Sequence, residues 1–239
     1  MSAEVTVMQT PWSVPELIES LDHAWSAVGL GDAPWQALAT LAAQATIETG
    51  RNGASCYRHN ISNIMGESPE GMFHVLHKAP ECALPDHIPA GATVLTSSNV
   101  ACGPDRVPYL PKGGSKFRAY SSLLLGCEDK VMVLLRIWPK AVAALRRGGD
   151  LDLSALVLAY VTELVTPRYF TADVPHYQAT VASIAKEYVG VAQSHVAKRA
   201  LASVASSEPR TTTTFERERP SESPSLLEFL DSLVDEPKA

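Results

Sequence analysis

Residues 51 to 116 hold many Gly, Pro, Asn and Ser and almost no helical periodicity, while the chain on either side of them is strongly helical in pattern. A structureless stretch of that length inside a compact domain is unusual unless it serves a site. The chain is therefore read as a helical body interrupted by a loop-rich lobe at 51–116, with short strands at Met72–Leu76 and Ala92–Leu95. The expected fold class is mainly α (α+β). A hydrophobic share of 46% over 239 residues is enough to build a real core.

The helical flanks are legible from caps and spacing. Ser13 caps a helix from Val14 to Gly29, with Pro15 and Glu16 suited to its first turn. Leu17, Leu21, Ala24, Trp25 and Val28 fall on one face. Asp32 is the expected cap of the next helix, which Pro34 opens and Gly50 ends. Its Ala-rich face leads down to Glu48, and so much alanine predicts a buried helix. Further helices are expected at Ser121–Arg136, Pro139–Arg147 and Leu153–Val165, and one or two more at Asp173–Ala202.

Composition changes again near the end. Ser, Thr, Glu, Arg and Pro dominate 203–225, which reads as a flexible linker. The tail 226–239 contains Leu226, Leu227, Leu230, Leu233 and Val234 at helical spacing, flanked by acids. A partner groove that buried this stripe would make 226–234 a docking segment. The main domain is thus expected at 1–202.

Net charge is −6, and the longest basic cluster, Arg146-Arg147, is too short for a nucleic-acid face. No apolar run is long enough to span a bilayer. Met1–Thr10 has neither the basic residues nor the apolar stretch of a secretory signal, so work outside the cell would need another delivery route. The cysteines Cys56, Cys82, Cys102 and Cys127 lack zinc-site spacing and leave two readings open: free buried thiols, or a Cys82–Cys102 disulfide. His59, His74, His77 and His87 fall in the lobe without the i, i+4 spacing of a helical metal pair, so neither metal nor cofactor is assigned.

A carboxylic acid at the end of an apolar helix is desolvated on one side, which raises its pKa and suits it to donate a proton to a glycosidic oxygen. Glu48 is that residue, within Thr46-Ile47-Glu48-Thr49-Gly50. It is followed by Cys56-Tyr57-Arg58-His59-Asn60-Ile61-Ser62-Asn63-Ile64-Met65-Gly66, then Phe117-Arg118-Ala119-Tyr120-Ser121-Ser122, then Tyr169-Phe170-Thr171-Ala172-Asp173-Val174-Pro175-His176-Tyr177.

This series, spanning about Trp35 to Tyr188, resembles the glucosaminidase domains of glycoside hydrolase family 73, the bacterial autolysins and flagellar peptidoglycan hydrolases. The resemblance implies a lysozyme-like fold and cleavage of the β-1,4 glycan backbone of peptidoglycan. It implies Glu48 as general acid, Asn63 and Gly66 as the turn at the cleft floor, and Phe117, Arg118 and Tyr120 as the element re-entering the helical part. It further implies Tyr57, Asn63, Gly66, Tyr120, Tyr169 and Tyr177 as substrate contacts. The motif's proline is displaced here to Pro175, and the lobe carries extra Cys and Pro. Glycosidases usually employ a second carboxylate. Glu67, directly after the Asn63–Gly66 turn, is preferred over Glu70, Glu81, Asp86 and Asp105. Without one, the substrate's own N-acetyl group would assist, or the reaction would be a transglycosylation. A lysozyme-like binding module without catalysis is the remaining alternative.

Overall fold

In the computed structural model, residues 2–77, 80–96, 102, 105–165 and 173–206 are described. Ser13 and Glu16 form a capping box that starts α1, Val14–Ala27: the serine hydroxyl accepts from the Glu16 amide while the Glu16 carboxylate accepts from the Ser13 amide. The second helix, α2, spans Trp35–Thr49. Its N-cap is Pro34, which makes no side-chain hydrogen bond, and Asp32 stands exposed two residues upstream. The expected Asp32 cap is therefore corrected. Proline's fixed φ suits a helix start, and Asp32 turns instead toward Arg199.

Most of α2 is buried, polar residues included. Its run of alanines lets neighbours approach closely, and it packs between α1, α5 (Leu153–Glu163) and the long α6 (Val174–Ser206). Leu17, Ile18, Leu21 and Trp25 of α1 meet Leu38 and Leu41 of α2 in one continuous core. α3 (Leu123–Ile137) and α4 (Pro139–Arg146) add Val131, Leu134, Val142 and Leu145 to the same core. α6 is one helix, and it runs past Ala202 to Ser206, so the linker expected from Ser203 begins as helix. The rest of the linker and the docking tail lie outside the described residues.

Six short strands form two sheets among the described residues. β2 (Met72–Leu76) pairs in parallel with β1 (Ala3–Glu4) and antiparallel with β6 (Ser115–Arg118). β5 (Val107–Leu110) lies between β3 (Glu81–Ala83) and β4 (Thr93–Val94). The strand expected at Ala92–Leu95 is thus only Thr93–Val94, and β1, β3, β5 and β6 were not anticipated. Cys82 and Cys102 form a disulfide, while Cys56 and Cys127 are free and buried, so each of the two cysteine readings holds for one pair. The architecture is mainly helical with small sheets, an α+β arrangement. Among the described residues no helix is long and apolar enough to cross a membrane.

One glycine fixes how the lobe meets the helical body. A Cβ on Gly126 of α3 would collide with the backbone carbonyl of His59. Only glycine lets the turn at 58–61 lie directly on the helix.

Candidate active site

Thr40, Gln44 and Glu48 follow one another at four-residue steps along α2, so they share a face. Gln44 is fully buried, and Glu48, one turn later, reaches a cavity of about 340 Å³. The far walls are Lys130, Val133, Leu134 and Ile137 of α3, followed by Trp138. The roof is the turn Ser62-Asn63-Ile64. That volume is at the small end of the range for a ligand pocket.

The roof is held by Asn60, a buried side chain that uses both ends of its amide. Its Oδ1 accepts from the Ile64 amide at 2.8 Å, and its Nδ2 donates to the Ile64 and Arg118 carbonyls at 2.8 and 3.1 Å. Arg58, His59 and Asn63 all adopt left-handed φ, at 50°, 57° and 50°. Non-glycine residues in that region collect where surrounding structure over-determines them, commonly at functional sites. The Asn63 side chain then donates to the backbone carbonyl of Glu48 at 2.5 Å, tying the turn to the end of α2.

Behind the acid runs a buried polar network. Lys130, only 1% exposed, donates to Gln44 Oε1 at 2.9 Å and to Ser62 Oγ at 2.7 Å. Tyr160 donates to the same Gln44 oxygen at 2.7 Å, and Gln44 Nε2 donates to the Tyr177 hydroxyl at 3.3 Å. A buried ammonium among neutral partners is costly unless it is hydrogen-bonded and offset by charge. Burial pushes the Lys130 amine down to about 8, and the negative charge of Glu48 works against that fall. The reciprocal holds for the acid: burial raises the Glu48 carboxyl above the ordinary carboxylate range, and the Lys130 charge opposes it. The Tyr177 phenol is raised too, by burial first and the Glu48 charge second. Such a site favours the protonated carboxylic acid more than water does. It also keeps a cation at hand for the carboxylate left after proton transfer.

Of the residues expected at the site, Glu48 and Asn63 line this cavity together, and Tyr177 stands behind it. Gly66, at φ 95°, donates its amide to the Lys116 carbonyl and is not part of the lining. Tyr57 packs near His74, with ring centroids 6.2 Å apart, and lines neither this cavity nor the next. Phe117 also stacks on His74, with ring centroids 5.9 Å apart. Tyr169 lies outside the described residues.

Glu67 is ion-paired to Lys116 at 2.5 Å, and that hydrogen bond is the main reason its carboxyl titrates low. It lines a second cavity, of about 510 Å³, along with Tyr120. Tyr120 is buried and donates to Asp129 at 2.5 Å, and Asp129 also accepts both bonds of Arg118 Nη1, at 2.8 and 2.6 Å. Glu48 is thus the one carboxylate lining its cavity among the described residues. No group of three or more His, Cys, Asp or Glu is arranged to hold a metal among them.

Lys130, Gln44, Ser62 and Asn60 were not anticipated. Lys130 did carry a signal: it sits at helical spacing with Cys127, Val131 and Leu134 on an otherwise apolar face. Charged residues are almost never fully buried unless partnered. Comparison with family models finds no match for this chain, and comparisons with curated proteins and with solved structures find none either.

Proposed function

We propose that this protein cleaves the β-1,4 glycan backbone of bacterial peptidoglycan, with a lysozyme-like arrangement of helical body and smaller lobe and Glu48 as the general acid. The observation that carries the reading is Glu48 itself. It ends a buried helix, opens into a cavity at the junction of body and lobe, and has its carboxyl raised by burial. Glu48 gives its proton to the bridging oxygen as the bond from the anomeric carbon breaks; water then adds to that carbon and returns a proton to the Glu48 carboxylate, which faces Lys130. Asn63 holds the end of α2 against the turn that roofs the site. The test is cell-wall zymography of wild type beside Glu48→Gln, followed by mass spectrometry of the released muropeptides. Reducing sugar ends, with a yield lower by about 10²–10⁴-fold in the variant, support hydrolysis by Glu48.

One observation favours a second outcome for the same site. Glu67, the expected partner carboxylate, lines the neighbouring cavity and is engaged by Lys116. A transglycosylase needs no second carboxylate: one residue protonates the leaving oxygen, then accepts the proton of the sugar's own hydroxyl as that oxygen attacks the anomeric carbon. Anhydro-muramic ends in the same digest identify it. A folded Glu48→Gln protein that binds wall as well as wild type, with neither cutting it, identifies a binding module.

A further inference from the structure

The second cavity adjoins the first. Both lie between α3 and the segment 62–70, and Val133 belongs to the walls of both. Its charged groups are largely occupied. Glu67 is bound by Lys116, Glu70 accepts from the Ser121 amide and hydroxyl, and Arg118 is locked to Asp129. Two charges remain: Glu128 and Arg136, neither ion-paired among the described residues. They stand two helical steps apart on one stripe of α3, with the exposed Met132 between them, 48% accessible. Pairs reach each other at three or four residues' spacing, so eight residues keep these two apart. Along a helix axis that is about 12 Å.

An uncharged glycan can hydrogen-bond to an isolated carboxylate and an isolated guanidinium, but it brings neither of them a countercharge. A short peptide does. Two extended residues span about 7 Å and a lysine side chain on the first carries its ammonium further, which sets an ammonium against Glu128 and a carboxylate against Arg136, with the apolar Met132 beneath the chain. We propose that this cavity is a subsite for the short peptide carried by the wall glycan, with Glu128 reading a free amine and Arg136 a free carboxylate. The inference rests on the proposed substrate, since a peptide-bearing strand laid across Val133 reaches both cavities.

The test uses the full chain and needs no turnover. The probe is an acetylated Ala-Gln-Lys-Ala tetrapeptide with a free carboxyl terminus, followed by NMR shift perturbation. The expected perturbations fall on α3 from Leu125 to Arg136 and on 67–70. Losing a hydrogen bond between charged groups typically costs tenfold or more in affinity. Arg136→Gln should weaken the peptide about tenfold but leave its C-terminally amidated form unchanged. Glu128→Gln should do the same for the lysine peptide but not for a norleucine one. No binding at millimolar peptide, or equal losses for charged and neutralised peptides, overturns the subsite. Binding with this coupling, in a protein that cuts no wall, upholds the subsite and defeats the hydrolase reading instead. Wall cleavage without peptide binding does the reverse.

Discussion

At the scale of residues, Glu48 and Lys130 titrate against each other, and the sign of that coupling is testable. The Lys130 charge lowers the Glu48 pKa, so removing it lets burial raise the acid further. A general acid works only while protonated, so its rate falls as pH rises through its pKa. Lys130→Met is therefore expected to move the alkaline limb of the pH–rate profile upward, while Lys130→Arg, which keeps the charge, restores the wild-type limb. An unmoved limb in the Met variant would remove Lys130 from the chemistry. Stability responds in a second window. With the folded amine near 8 against an ordinary 10.5, the unfolded chain binds more protons between those values, so the Lys130 contribution grows as pH rises from 8 to 10.5. Urea titrations should show that slope in wild type and lose it in Lys130→Met. Glu48 was legible in the sequence because a lone acid closes an apolar helix before a glycine. The partners were not, because Gln44, Ser62 and Lys130 come from three separate elements and meet only once α2, the turn and α3 are packed.

At the scale of elements, the roof turn depends on a helix that carries no side chain where it is touched. Gly126→Ala should force the His59 carbonyl away from α3 and move the 60–64 turn with it. Overpacking of this kind typically costs about 1–3 kcal/mol. Reduced wall cleavage, altered amide shifts at 60–64 and an otherwise intact helical core are expected. Wild-type activity at normal stability would show that the close approach is dispensable. The disulfide acts on a different element: it links residues 20 apart at the edge of the sheet made by β3, β5 and β4. Closing a loop of that size is worth about 3 kcal/mol in the chain-entropy view. Cys82→Ala should raise amide exchange in β3 and β5 while leaving α2 protected. The helices were legible from their repeating apolar faces, and α1 from its Ser13 cap as well. The strands at 81–83, 107–110 and 115–118 were not, since three or four residues contain too little alternation and their pairing partners lie far away in sequence.

At the scale of the whole molecule, α6 holds the two ends of the domain together. Asp22 of α1 is buried at 3% exposure and accepts from Arg199, with His195 Nε2 at 2.8 Å. Removing one partner of such a buried cluster strands the others. Asp22→Ala should cost on the order of 2–3 kcal/mol, which lowers the melting temperature by about 5–10 °C. Wall cleavage by the folded variant should be unchanged, because this cluster borders neither cavity of the proposed site. A chain cut after Ser206 keeps all of α6 and should retain cleavage while losing any partner that docks on 226–234; co-purification from the native host with and without those residues tests it. The central claim is that Glu48 cuts glycan, and one digest decides it: purified peptidoglycan treated with wild type or with Glu48→Gln, the products separated and weighed. The account predicts new glycan ends from wild type, and from the variant a yield lower by about 10²–10⁴-fold at an unchanged melting temperature. Glycan cleavage by Glu48→Gln within a few-fold of wild type would contradict it.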